Sequence, residues 1–261
     1  MKRRFAWEPM FAIVLIAVGT HLPLQAALTE ELHKSYPIDA DGRVSLNNVN
    51  GAVHISAWDR NEVQVEAIKR AYTKEALGEA NIVIDSASSS ISIRTKYPES
   101  KHHKDSASVE YTLKVPRRAR LFAVETVNGS VEVSGVTGDV KISSVNGPVT
   151  AQNLAGEARL STVNGTVNAS FDKVEGAPSI SLHTVNGSIS LAIPENANAD
   201  VDASTVHGAI SSDFGTPERR HRIGGSVSGR IGSGGAHIKL NSVNGAIRIL
   251  STLGGHRVLH T

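Results

Sequence analysis

The chain has 261 residues, with 27 Lys+Arg against 25 Asp+Glu, 40% hydrophobic and 4% aromatic residues, and no cysteine. Without thiols, disulfides, metal–thiolate centres and a lipid-modified cysteine are all closed to it. A near-neutral chain with mixed charge signs also lacks the basic stripe that nucleic-acid binding needs.

At the N-terminus a basic head, Met1 to Arg4, precedes an apolar run from Met10 to Val18 and small residues up to Ala26. This order describes a secretory signal peptide, residues 1–26, cut after Ala26. The competing reading is an uncleaved anchor. Against it, the apolar run falls short of the ~20 residues of a spanning helix, and His21 and Pro23 interrupt any extension. Removing the signal leaves 24 basic and 24 acidic side chains, so the full chain's surplus of positive charge belongs to the export segment. No later apolar span and no strand pattern ending in an aromatic supports a membrane barrel.

Residues 27–120 read as the N-terminal part of a β architecture. Arg43 to Leu46 and Val53 to Ile55 flank Val49-Asn50-Gly51, and Trp58-Asp59 follows, with Trp58 expected to cap one end of the core. Val63 to Ile68 is a further strand. Thr73 is placed to N-cap a short helix over Lys74 to Ala80, with Glu75 in its first turn. Ile82 to Ile84 and Ile91 to Ile93 alternate across a Ser-rich turn, and Lys96 to Ser108 is polar enough to be an exposed loop. Val109 to Val115 is a strand that stops at Pro116. The basic cluster Arg117, Arg118 and Arg120 reads as a solvated turn rather than an anion site.

Residues 121–261 carry the repeat. Val-Asn-Gly recurs around Asn128-Gly129, Asn146-Gly147, Asn164-Gly165, Asn186-Gly187 and Asn244-Gly245, as it does at Asn50-Gly51, with the variant His207-Gly208. From Asn128 the steps are 18, 18, 22, 21 and 37 residues, a period typical of stacked units. Each flank alternates with period two: Val140, Ile142 and Ser144 before one corner, Val149 and Ala151 after it. The intervening Glu132, Lys141, Arg159, Lys239 and Arg248 belong in water.

Asn-Gly is also a strong hairpin signal, so the Val before each Asn decides. A hairpin would leave it in water; a solenoid corner can tuck it inside, at ~1.5 kcal/mol or more per buried Val. The expectation is therefore an all-β, right-handed β-solenoid of ~18–22-residue Val-Asn-Gly coils with one short N-terminal helix. The corner asparagines stack in register and share amide hydrogen bonds, and His207 interrupts that stack. The Gly-rich segment of about 214–235 accounts for the 37-residue step as an inserted loop or edge hairpin. Ile238 to Ile249 forms the last coil, and the tail from Ser251 caps or frays.

The Val-Asn-Gly coils, Trp58-Asp59, Tyr111-Thr-Leu-Lys-Val-Pro116 leading into Leu121, and Ile231-Gly-Ser-Gly-Gly-Ala-His-Ile-Lys-Leu240 together resemble the bacterial "putative adhesin" family of unknown function, the DUF4097 type. The resemblance covers about Tyr36 to Ile249 and implies an exported bacterial β-solenoid. It brings no catalytic residues. His207 and the 214–235 segment depart from the plain repeat.

Reactive constellations are sparse. Asp200 and Asp202 lie two apart, with Asp213 nearby, but a glycosidase needs two carboxylates held at a defined separation. Asp39-Ala-Asp41-Gly42 is a fragment of a calcium loop without its closing Glu, and reads as a turn. His102-His103 lacks a spaced third ligand. Gly232-Ser-Gly-Gly235 lacks the Lys-Ser/Thr of a phosphate loop; its glycines allow close backbone approach instead.

The sequence therefore points to no catalytic residues, no metal and no cofactor. It describes an exported, non-enzymatic, envelope-associated binding or structural protein of the periplasm or cell surface, with adhesin-like architecture. Its partners would be an extended glycan or another envelope protein and no nucleic acid, and the open ends of a solenoid leave room for self-association. The alternatives are a polysaccharide lyase or hydrolase on a β-helix scaffold, and a periplasmic accessory of a stress-sensing system that binds through the 214–235 segment.

Overall fold

The computed structural model describes residues 27–98, 107–174, 179–215 and 225–252. The signal segment 1–26, most of the 96–108 loop with His102-His103, residues 216–224 and the tail beyond Thr252 lie outside the described residues.

The first half runs β1 (Leu28–Pro37), β2 (Arg43–Asn47), β3 (Val53–Trp58), β4 (Glu62–Ala71), α1 (Lys74–Glu79), β5 (Asn81–Ala87), β6 (Ser90–Lys96) and β7 (Ser108–Pro116). The regular repeats follow as β8 (Arg120–Asn128), β9 (Val131–Ser134), β10 (Val140–Asn146), β11 (Val149–Leu154), β12 (Ala158–Asn164), β13 (Val167–Phe171), β14 (Ser179–Asn186) and β15 (Ile189–Pro194). The chain closes with β16 (Ala199–His207), β17 (Ile210–Ser212), β18 (Gly225–Ile231), β19 (Ala236–Asn244) and β20 (Ile247–Thr252). The helix is capped as its sequence dictates, with Thr73 Oγ1 accepting from Ala76 N at 3.1 Å.

Each coil is two strands, one in each of two ten-stranded sheets. Sheet A runs β1-β4-β7-β3-β9-β11-β13-β15-β20-β17, and sheet B runs β18-β16-β19-β14-β12-β10-β8-β2-β6-β5. Neighbouring coils pair parallel and in register, so Val140 lies beside Ala158, which lies beside Ile180. The inward positions, such as Val131, Val133, Ile142, Leu160 and Leu182, are buried between the sheets. The core is thin and aliphatic, and among the described residues only Tyr111 and Phe171 bring fully buried rings. The fold is thus an all-β solenoid.

Spatial order departs from chain order at both ends. The first Val-Asn-Gly coil, β2–β3, lies between β6–β7 and β8–β9. The coil β19–β20 slots between β14–β15 and β16–β17, so the coil of His207, and not that of Asn244, ends the stack. Antiparallel strands line three of the four sheet edges, β4 and β1 beyond β7, β5 beyond β6 and β18 beyond β16, while the fourth edge is the parallel β17 beside β20.

Two expectations are corrected. The Val before each corner Asn is not buried: Val127, Val145 and Val163 are 38–39% exposed and Val206 52%. The residue tucked inside is the Ser or Thr one step earlier, from Thr126 to Ser242, and alternation continues outward through the Val before the corner breaks it. Trp58 does not cap the core either. Ala57 takes the inward place, while the half-buried indole donates from Nε1 to the Glu62 carbonyl at 2.9 Å with Arg60 and Lys114 against its ring.

Candidate functional site: the corner seam and the outer sheet faces

The corner asparagines form one continuous ladder. Nδ2 of Asn128 donates to Oδ1 of Asn50 at 2.9 Å, Asn146 to Asn128 at 2.9 Å and Asn164 to Asn146 at 2.8 Å. Asn186 to Asn164 and Asn244 to Asn186 follow, both at 2.8 Å. His207 pairs in register with Asn244 at the end of this run. It therefore terminates the ladder instead of interrupting it, because its coil stacks outside that of Asn244.

Beneath the asparagines lies a second ladder, whose hydroxyls the alternation places inward without announcing what they bond to. Ser144, Thr162, Thr184, Ser242 and Thr205 are buried, and each hydroxyl donates to the corner Gly carbonyl of the adjoining coil, at 2.8–3.1 Å. The backbone amides of the corner bond to other carbonyls, such as Gly165 N to Asn186 O and Val167 N to Ser188 O, so the hydroxyl serves the Gly carbonyl the backbone leaves over. In the first coil Asn48 occupies the hydroxyl position, and its Nδ2 reaches Gly51 O at 3.2 Å and Val109 O at 2.8 Å. That leaves Thr126 Oγ1 buried without a partner among the described residues.

The glycines are demanded by stacking more than by backbone conformation. A Cβ on Gly129, Gly165, Gly187, Gly208 or Gly245 would lie far inside 3.0 Å of the neighbouring corner Gly carbonyl. The opposite corner has its own close stack, Gly156 on Gly138 and Gly138 on the Ala119 carbonyl. Its signal was in the sequence, as buried Val136 and Leu154 two residues before each Gly and an acid, Asp139 or Glu157, just after it.

Where β6–β7 joins the first coil without a Val-Asn-Gly corner, a buried polar plug replaces it. Thr95 Oγ1 donates to Asn48 Oδ1 at 3.0 Å and lies 2.7 Å from the Tyr111 phenol. Burial pushes the Tyr111 and Tyr97 phenols up to about 12.

The sequence-selected acids are not brought together as a catalytic pair. Asp200 takes the Arg230 guanidinium at 3.1 Å and Gly235 N at 3.3 Å, and the Arg230 bond holds its carboxyl below the usual carboxylate range. Asp202 accepts from Ser228 Oγ at 2.6 Å, and Asp213 from Ser251 N at 3.1 Å. The Asp39–Gly42 segment is a turn closed by Gly42 N to Asp39 O. Gly232–Gly235 wraps the Asn198 side chain, whose Oδ1 accepts from Ser233 N and Oγ. Of the basic cluster, Arg117 holds Asp59 through two nitrogens at 3.0 and 3.3 Å, while Arg120 lies on the outer face of β8. No group of three or more His, Asp or Glu suited to a metal occurs among the described residues.

What remains for function is the outer surface. On sheet A one register row runs His54, Glu132, Thr150, Asn168, Ser190 and Arg248 across adjacent strands. On sheet B, Lys141, Arg159, Ser181, Lys239 and Asp202 form another. Each row offers one side chain per strand, about 4.8 Å apart.

No curated protein sequence matches this chain. A solved "putative cell adhesion protein" from Clostridium sporogenes is 11% identical, covers 86% of this chain and 100% of its own, and superposes with a TM-score of 0.47. A "putative adhesin" from Bacteroides fragilis is 11% identical over 85% of this chain and 97% of its own, with a TM-score of 0.35. A "putative lipid binding protein" from Parabacteroides distasonis is likewise 11% identical, over 85% and 95%, with a TM-score of 0.27. Likeness at that level carries no argument about ligand or activity. The family profile does more: that of Toastrack DUF4097 matches residues 35–250, from the end of β1 to within β20, and the chain belongs to this family.

Proposed function

We propose that the protein is an exported, non-enzymatic, envelope-associated binding or structural protein whose outer sheet faces engage an extended ligand, a glycan or another envelope protein. The observation that carries this reading is the sheet A row from His54 to Arg248, a ruled series of polar side chains repeated across parallel coils. A surface with a regular repeat complements an extended partner, as solenoid faces do. The N-terminal sequence supports export. Asp200, its carboxyl lowered by the Arg230 hydrogen bond, is unsuited to the general-acid role that glycoside hydrolysis needs. Among the described residues no helix is long and apolar enough to cross a membrane.

Osmotic-shock fractionation with protease treatment of intact cells tests the reading. Recovery in the periplasm or digestion at the surface is expected, and recovery in the cytoplasm refutes it. Polysaccharide cleavage by purified protein, abolished by Asp200→Asn or Asp202→Asn, would refute the non-enzymatic part.

A further inference from the structure

One strand of sheet B breaks the in–out alternation of its neighbours. Leu121 lies beside both Val44 and Val140, yet Ser45 pairs with Ala123 and Ile142 with Val124. The sequence shows the cause, because Leu121 to Thr126 takes five steps where Val140 to Ser144 and Ala158 to Thr162 take four. The extra residue makes a β-bulge, a device that re-aims a side chain. Here it sets Phe122 on the outer face, 62% exposed, as the one exposed phenylalanine among the described residues. A ring held in water contributes nothing to the core, so its place calls for another account.

Its surroundings supply one. The Arg43 guanidinium lies 5.8 Å from the ring centroid. On one side of Phe122 a shallow groove is lined by the cations Arg43, Arg120, Lys141 and Arg159 and by the acids Asp139 and Glu157. On the other, Phe122 and Arg43 wall a second groove with Ser45, Ser90 and Ser92. Glu157 pairs with Arg159 at 2.9 Å and Asp85 with Arg94, while Asp139 accepts only from Glu157 N at 3.3 Å, so the first groove keeps four cations against two acids. Arg43, Arg120 and Lys141 have no carboxylate partner among the described residues. The grooves draw on six strands adjacent in space, β5, β6, β2, β8, β10 and β12, a path of about 24 Å at sheet spacing.

We propose that this path binds an acidic glycan. Phe122 stacks on the apolar face of one sugar ring, and Arg43, Arg120 and Lys141 pair with carboxylates of that sugar and its neighbours. The Ser45, Ser90 and Ser92 hydroxyls face the sugar hydroxyls. A polymer suits the site because its cations are spread over successive strands on both sides of one aromatic ridge. An anionic bilayer suits it less, since surface insertion takes an apolar face and Phe122 stands alone among cations. The inference rests on the binding reading above and narrows it to one end of sheet B.

The test measures binding of the full mature chain to polygalacturonate and alginate, with dextran as neutral control and phosphatidylglycerol vesicles as the lipid alternative. Wild-type protein is expected to bind both polyuronates, to ignore dextran, and to lose affinity as salt rises. Phe122→Ala and Arg43→Gln should each weaken binding about tenfold while leaving the thermal melt unchanged, since both side chains lie outside the core. Glu79→Gln, exposed on α1 and outside both sheets, should bind as wild type. Polyuronate binding that persists in Phe122→Ala, binding to vesicles only, or binding to no probe overturns the inference. The wider reading then stands or falls by fractionation: an envelope protein without this site keeps it, and a cytoplasmic protein loses both.

Discussion

The hydroxyl ladder offers a test with an internal control, because two threonines share one repeat position and differ only in partner. Thr184 is fully buried, and its hydroxyl is the donor to Gly165 O at 2.9 Å. Replacing it by the isosteric Val leaves that carbonyl unserved, which costs about 1–3 kcal/mol; a corner that water partly reaches falls in the lower half, about 1–2 kcal/mol. Thr126 is 4% exposed and its Oγ1 has no partner among the described residues, since Asn48 Nδ2 already serves Gly51 O. There the same substitution removes an unpaired buried hydroxyl and should be neutral or stabilising by up to about 1 kcal/mol. The two variants should therefore differ by about 2 kcal/mol, or about 4–8 °C in Tm for a chain of this size. Thermal and urea unfolding followed by circular dichroism would measure it. Equal midpoints, or a larger loss for Thr126→Val, would refute the account of the corner.

Three further outcomes follow from the same geometry. Gly187→Ala drives a Cβ into the Gly165 carbonyl and should cost more than about 3 kcal/mol, whereas Gly78→Ala in α1, with open space around it, should gain up to about 1 kcal/mol; urea midpoints of the two report the contrast. Asn164→Ala breaks two rungs of the amide ladder and should cost about 1–2 kcal/mol, while His207→Asn adds a rung on Asn244 and should raise the Tm. The phenols of Tyr97 and Tyr111, at about 12 when folded against 10.0 otherwise, favour the folded state fully below pH 10.0 and lose that contribution as pH climbs towards 12. Phenolate absorbance should therefore show two of the four tyrosines ionising late and together with unfolding, and Tyr111→Phe should remove one of them from that late phase.

Much of the fold was legible because period-two alternation and a recurring corner both survive in a single sequence. Val140, Ile142 and Ser144 sit inward and Lys141 outward as the pattern requires. The valine argument failed since it assumed the phase breaks before the Val. The break comes after it, where the Asn amide must point along the seam and the Gly must let two backbones meet. The spatial order of the coils was not legible, because interchangeable Val/Ile strands carry no address. Asn48 in place of a Ser or Thr was the one local sign that the first coil has an unusual neighbour. The bulge at Phe122 could have been counted from the extra residue between Leu121 and Thr126, but a count does not say that the ring stands in water.

The placement of the first and last Val-Asn-Gly coils has a consequence for how such a molecule can change its length. When repeats stack in chain order, a duplication at either terminus simply adds a storey. Here each end is closed by a segment that loops past its neighbour and returns: β2–β3 is held between β6–β7 and β8–β9, and β19–β20 between β14–β15 and β16–β17. A new coil stacked at the first end would meet antiparallel strands in both sheets, β1 and β5, and at the other end the antiparallel β18 covers sheet B while the three-residue parallel β17 edges sheet A. Growth is therefore confined to the interior, between β8 and β15, where successive repeats are neighbours in both sequence and space. Relatives longer or shorter than this chain are expected to differ by whole coils in that stretch, with both interlocked ends intact.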